Sequence, residues 1–300
     1  MKQSVNIQSI AWEHISSPSN EDVVQIIRDA HISQLDAELI VHGDQGPQFV
    51  VREEYKIILI QVPVRETRTK SFENHTIRCI VLKNRLITIT SRNIPALERI
   101  LTDCTQHPEL YDHDSITSLS FAFTIIDRIN ASTVKKIHHL LKRVEIAEDA
   151  VFHGNERKMV EEIAVLSRDV LDFHRVALPQ RGVFQTLHRQ YNFTHQEQDI
   201  LSRIHHQSEQ MWNTLQVLHS SMQELRNTND SLLQHQENEL LRMIFSYSII
   251  TVPLLAVINI FNPHRVGATY IDTIIFWSII AFLTLLLVAI FARARKRRVL

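Results

Sequence analysis

Two stretches near the C-terminus constrain this chain more than any other feature. Met243 to Phe261 reads MIFSYSIITVPLLAVINIF and Thr273 to Ala292 reads TIIFWSIIAFLTLLLVAIFA; neither carries a charge. Each approaches the ~20 apolar residues with which a helix crosses about 30 Å of hydrocarbon. A pair of buried core helices is the alternative, but it leaves unexplained the basic run Arg293-Ala294-Arg295-Lys296-Arg297-Arg298 that follows. The reading is therefore a first transmembrane helix at 243–261, a short external loop at 262–272, a second transmembrane helix at 273–292 and a basic tail at 293–300. The positive-inside rule keeps that tail in the cytosol. Two spans then place residues 1–242 there as well, so both termini are expected to be cytosolic. The N-terminus, MKQSVNIQSIAWEHISS, has no continuous apolar core, so no cleaved signal peptide is expected.

Net charge is −1 over 300 residues, which gives no electrostatic case for a nucleic-acid partner. The chain has five glycines and none forms a nucleotide-binding loop. No G-x-S-x-G, H-E-x-x-H or EF-hand loop occurs either, so no catalytic residues and no cofactor are expected. Cys79 and Cys104 lack metal-site spacing and read as reduced, buried or semi-buried thiols. Seventeen histidines invite a metal reading, with His205/Glu209 and His235/Glu239 at i,i+4 spacing and His138-His139 and His205-His206 adjacent. Such pairs are common on solvated helices, and ordinary surface histidine is the favoured reading of each.

Residues 1–193 read as a mixed domain. Phe49–Val64 and Thr76–Thr90 are rich in Val, Ile and Tyr with alternation, and Lys83-Asn84 marks a hairpin turn. Ser19-x-x-Asp22 resembles a capping box opening a helix. The expected fold class is an α+β cytosolic domain, an α/β/α sandwich with a mostly antiparallel sheet. Helical spacing follows at Ile94–Cys104, Ser115–His153 and Glu156–Val176, and Pro179 and Gly182 are expected to end the last of these. Thr194-x-x-Glu197 is a second capping box. No proline follows until Pro253, so one helix is predicted from Thr194 through the first span, with residues 194–242 as its stalk.

That helix carries a heptad. Ile204, Met211, Leu218, Leu225 and Leu232 are seven apart, and Ser208, Leu215, Met222, Asn229 and Gln236 follow each by four. Such a seam packs on copies of itself or on neighbouring helices, and a water-filled axis would accommodate Asn229 and Gln236. The spacing leaves open a helix packed inside its own domain. Further along, Asn238, Leu241, Ile244, Ser248, Val252, Leu255 and Asn259 share one face. Polar residues within a span face protein or water. Neutral amide and hydroxyl oxygens suit partly hydrated hard cations, and the apolar members can gate by dewetting. Pro253 withdraws the hydrogen bond that the Ile249 carbonyl would otherwise accept.

From these residues the chain resembles the CorA family of divalent metal-cation transporters over nearly its whole length. Asn238-Glu239-Leu240-Leu241-Arg242 looks like the family's Asn-Glu-x-Met-Lys stretch. Pro253-Leu254 sits at the distance of its mid-span Pro-Leu/Thr, and Ile260-Phe261 where it has Ile-Tyr. The family's Gly-Met-Asn is absent; Asn262-Pro263-His264 stands there, making Asn262 and His264 the candidate outer-mouth residues. The resemblance implies a homopentamer in the cell (inner) membrane, built around a pore lined by the first span. Its substrate would be a divalent cation (Mg²⁺, Co²⁺, Ni²⁺ or Zn²⁺) that also acts as a possible regulator. A non-conducting, membrane-anchored regulatory or interaction protein is the alternative.

Overall fold

The β-branched runs form the middle of a six-stranded sheet. Its strands are β1 (Lys2–Ile7), β2 (Ile10–Ser16), β3 (Gln48–Val51), β4 (Lys56–Arg65), β5 (Phe72–Val81) and β6 (Arg85–Thr90), arranged β1-β2-β6-β5-β4-β3. All neighbours are antiparallel except β2 and β6. The structure is a computed structural model describing residues 2–41, 46–66, 72–108, 116–190 and 193–260, and beyond them positions 274, 277, 278, 280–282 and 285; 190, 250, 254 and 256–260 are described as backbone alone.

Alternation along the strands splits the apolar residues between two faces. Ile58, Ile60, Val62, Ile77, Cys79 and Val81 join a core with α3 (Pro95–Gln106), α4 (Ser118–Phe152), α5 (Glu156–Gln190) and the start of α6 (His195–Ile260). Ile57, Leu59, Ile80, Ile87 and Ile89 meet α1 (Asn20–Asp29) and α2 (Gln34–Val41) on the other face. The result is the expected α/β/α sandwich, mostly antiparallel. Trp12 of β2 lies fully buried, edge-on to Phe121 at 5.4 Å, and its indole donates to Thr88 Oγ1 at 3.1 Å.

Local chemistry sets the element ends. Ser19 and Asp22 cap α1 reciprocally: the Asp22 amide donates to Ser19 Oγ at 3.2 Å and the Ser19 amide to Asp22 Oδ2 at 2.8 Å. Thr194 and Glu197 do the same at α6, where Glu197 also accepts from Thr117 Oγ1, the cap of α4. Lys83-Asn84 makes the β5–β6 turn, with the Leu82 amide donating to the Arg85 carbonyl. Gly154, at φ +84°, turns α4 into α5 in the left-handed region that glycine adopts without strain.

One expectation fails at Pro179. The helix runs on to Gln190. Pro179 is exposed, so its ring meets solvent and its cost is one ladder hydrogen bond. Val176, Gln180, Phe184 and Leu187 continue the buried stripe past it. Gln180 strengthens the crossing by accepting from the Gln61 amide at 3.0 Å and donating to Asn130 Oδ1 at 3.2 Å. Burial of that stripe outweighs the missing bond.

Asp36 is a buried anion held in a closed set of donors. Arg52 donates to it twice, at 2.7 and 2.9 Å, and Tyr55 Oη once, at 2.7 Å. The Arg52 guanidinium, ahead of Tyr55 and Ser33, holds the carboxyl below its ordinary value against the opposing effect of burial. Its contribution to stability is therefore full above the ordinary carboxylate pKa of about 4 and is lost as pH falls below it. Asp36→Ala is expected to cost about 2–3 kcal/mol at pH 7. The loss should shrink towards pH 3, as thermal unfolding across that range would reveal.

Two compact units result, Met1–Arg226 and Asn227–Leu300. Among the described residues no helix is long and apolar enough to cross a membrane. Most of the second uncharged stretch lies outside those residues, as do the side chains at the end of the first.

Candidate functional site

The heptad finds its partner inside the first unit. Ile204, Leu218 and Leu225 of one row, and Ser208, Leu215 and Met222 of the other, are buried within their own chain. Arg203 pairs with Asp127 of α4 at 3.6 Å, and Glu209 accepts from Arg181 of α5 at 2.7 Å. Asn229, expected on an open axis, is 2% exposed, with its Oδ1 lacking a hydrogen bond. The first part of α6, up to Leu225, is thus seated on α4 and α5, the arrangement that spacing alone left open.

In the second unit the character of α6 inverts. Leu241, Ile244, Val252 and Leu255 are each about half or more exposed, and so are Phe245, Tyr247 and Ile249 on the remaining surface. Asn238 is also exposed and Ser248 is half-buried. A helix apolar all round and unburied in its own protomer requires another apolar surround, lipid or further helices. At 3.6 residues per turn the seven positions from Asn238 to Asn259 fall within an arc of about 120° and along about 30 Å of axis. Helical geometry adds two residues that stripe-reading overlooked, Glu237 and Phe245, which project into the same arc. Counting in steps of 100° per residue from Asn238 would have found both.

Hydroxyls along this segment have a fixed polarity. Ser248 Oγ donates to the Ile244 carbonyl at 2.9 Å, Ser246 to Arg242 at 2.8 Å and Thr251 to Tyr247 at 3.0 Å. With its proton committed to the helix, Ser248 offers only oxygen lone pairs outward. That is what a cation or its hydration water requires. Pro253 lies inside the helix, leaving the Ile249 carbonyl without its i+4 amide donor. Asn259 lies on the helical backbone, and Asn262 and His264 fall outside the described residues.

The other candidates are ordinary. His138, His139 and His206 are exposed, and His235 meets Glu239 at 3.6 Å on an exposed face. Among the described residues no three His, Cys, Asp or Glu side chains could hold a metal ion. Cys79 and Cys104 are buried and not joined in a disulfide, and burial pushes the Cys79 thiol up to about 12.

The family described as CorA-like Mg2+ transporter protein matches residues 8–294. The cobalt/magnesium transport protein CorA of Methanocaldococcus jannaschii is 23% identical over 183 residues. That match covers 61% of this chain and 56% of the relative, so it spans little more than half the relative's length. Among solved structures, the complete CorA magnesium transporter of the same organism superposes with a TM-score of 0.79 at 18% identity, covering 95% of this chain and 91% of that one. The full-length CmaX protein gives 0.75 at 13% identity, covering 95% and 88%.

Proposed function

Because the chain belongs to the family of CorA-like Mg2+ transporter proteins, we propose that it is a homopentameric channel in the cell membrane that passes divalent cations down their gradient. The family is one of transporters, not enzymes. Residues 243–261 and 273–292 are the two spans, with both termini in the cytosol. Five copies of the arc from Asn238 to Asn259 line the pore. Asn238, Ser248 and Asn259 present neutral oxygens to a largely hydrated ion, while Leu241, Ile244, Val252 and Leu255 form the gate. The cation also acts on residues 1–226 as a regulator. One observation carries this reading: an exposed helix with its acceptor-only Ser248 and two asparagines on a single face.

At the outer mouth Asn262-Pro263-His264 replaces the Gly-Met-Asn of the resembling family. Proline fixes its own φ near −65° and biases the residue before it towards extended geometry, so a mouth built on Asn262-Pro263 should differ in shape from one built on Gly-Met-Asn. If His264 takes the ring position, five imidazoles would favour Zn²⁺, Ni²⁺ or Co²⁺ over Mg²⁺ when neutral and repel any dication when protonated; in a shifted register Asn262 would take it instead. The same replacement favours the second reading, a non-conducting, membrane-anchored regulatory or interaction protein.

Flux of Mg²⁺, Co²⁺, Ni²⁺ and Zn²⁺ into liposomes holding the purified protein decides between them. Uptake is expected to fall severalfold as external pH drops from 7.5 to 5.5, and His264→Ala should remove that dependence. Absence of flux for all four ions, from a preparation that native mass spectrometry shows to be pentameric, would leave the non-conducting reading. A monomer would sink the pore altogether.

A further inference from the structure

The surface between α5 and the first half of α6 is lined by imidazoles in facing pairs. His174 of α5 stands 5.8 Å from His219 of α6 and 4.5 Å from Trp212. About four turns further along, the His188 and His205 rings stack at 5.3 Å with only 14° between their planes. Between the pairs, Arg181 lies over Trp212 at 5.7 Å and donates to Glu209 at 2.7 Å. Neutral imidazoles stack as weakly polar rings. A proton on each ring puts two cations roughly 5 Å apart, with His174, His219 and His205 half-buried and His188 open to water.

Neutralising charge is scarce there. α5 contributes Arg181 and Arg189 near His205, and α6 contributes Glu209, whose carboxylate already serves Arg181. The packed carboxylate of α4, Asp127, pairs with Arg203 rather than with either histidine pair. His205 Nδ1 is buried with no hydrogen-bond partner. The remaining histidines of this stretch, such as His206, are exposed to water and need no such arrangement.

We propose that the α5–α6 seam is a proton-responsive latch: the neutral His174–His219 and His188–His205 pairs hold α6 against α5, and acid on the side of this domain parts them. Burial lowers the tendency of His174 to take a proton, and His219 adds to it. For His205 burial acts first; Glu209 opposes it, and His188, Arg181 and Arg189 reinforce it. Both rings therefore bind protons more readily once the seam opens. Closure is complete above the ordinary histidine value of about 6.5 and weakens as pH falls below it. The helix so released is the one that continues to Ile260. A consequence for transport rests on the channel reading above, whereas the latch itself does not.

Amide hydrogen exchange on the full-length protein in nanodiscs tests the latch without any transport assay. Rates at pH 7.5 and 5.5, corrected for intrinsic chemistry, are compared with a chelator present. Peptides covering 174–188 and 205–219 should lose at least tenfold protection at pH 5.5, while those covering β4 and β5 keep theirs. His205→Gln combined with His219→Gln should abolish the difference; His206→Gln should leave it intact. Unchanged protection at pH 5.5, or a response that survives the double substitution, overturns the proposal. Should the double variant lose protection already at pH 7.5, NMR titration of the imidazoles in the unaltered protein decides. His174 and His205 titrating below the ordinary histidine value of about 6.5, across the range where protection is lost, supports the latch; titration of both at or above that value refutes it.

Discussion

Replacing Asn259 by leucine is expected to cut divalent-cation flux by two to three orders of magnitude. In the proposed channel Asn259 is the last polar residue of the pore arc, and five-fold symmetry would multiply any change there by five. Each amide oxygen that accepts from the ion's hydration water is worth about 1 kcal/mol, the usual net value of a neutral hydrogen bond. Losing most of five such contacts raises the barrier by about 3–4 kcal/mol, or roughly 10²–10³ in rate. Leucine is also a better membrane residue than asparagine, so insertion should be unimpaired. Native mass spectrometry showing an intact oligomer would separate a blocked pore from a broken one. A variant that keeps more than a third of its flux would move selection to Asn238 or to the outer mouth.

Trp12→Ala should produce the largest loss of stability in the N-terminal unit. The indole is wholly buried, packs edge-on against Phe121 and donates to Thr88. Truncating a buried aromatic to alanine typically costs 3–5 kcal/mol through lost transfer free energy and the cavity left behind. For a unit of this size that lowers the thermal midpoint by about 10 °C or more. Thr88 Oγ1 retains a partner, His14 Nδ1 at 3.0 Å, so the loss is one of packing more than of an orphaned hydroxyl. Scanning calorimetry or intrinsic fluorescence on the purified protein would measure it. A shift below 3 °C would mean that the sheet collapses readily around the gap.

The central strands and the two capping pairs, Ser19/Asp22 and Thr194/Glu197, contrast with what the sequence left hidden. Alternation of β-branched residues marked β4, β5 and β6, and Lys83-Asn84 marked their turn. The β1–β2 hairpin escaped because its turn residues, Gln8 and Ser9, carry none of the Asn-Gly chemistry by which tight hairpins are recognised. Gln8 adopts φ +51° without being glycine. The passage of α5 through Pro179 was hidden for a different reason: propensity is local, whereas the burial of Phe184 and Leu187 that overrides it is tertiary. Periodicity told which faces of α6 are apolar but not what covers them. The heptad is filled by the protein's own helices up to Leu225, whereas the described large apolar residues from Leu240 to Leu255 are exposed. That Asn238 to Asn259 share one helical face was legible because few polar side chains interrupt the uncharged stretch; that this face lines a pore is the proposal. The commitment of the Ser248 proton to the Ile244 carbonyl was not legible, since a hydroxyl's direction depends on backbone geometry.

The burial of both native cysteines has a practical corollary. Thiolate, not thiol, is the species that maleimides and methanethiosulfonates attack. Cys79 is enclosed by the sheet core and held in its protonated form, and Cys104 is shut into the same apolar layer. The unaltered chain is therefore a cysteine-silent background. A single cysteine introduced at an exposed position, Tyr247 or Val252 for example, becomes the one reactive sulfur in the molecule. Reagents that differ in membrane permeability then map orientation residue by residue, and no core thiol has to be sacrificed to do so.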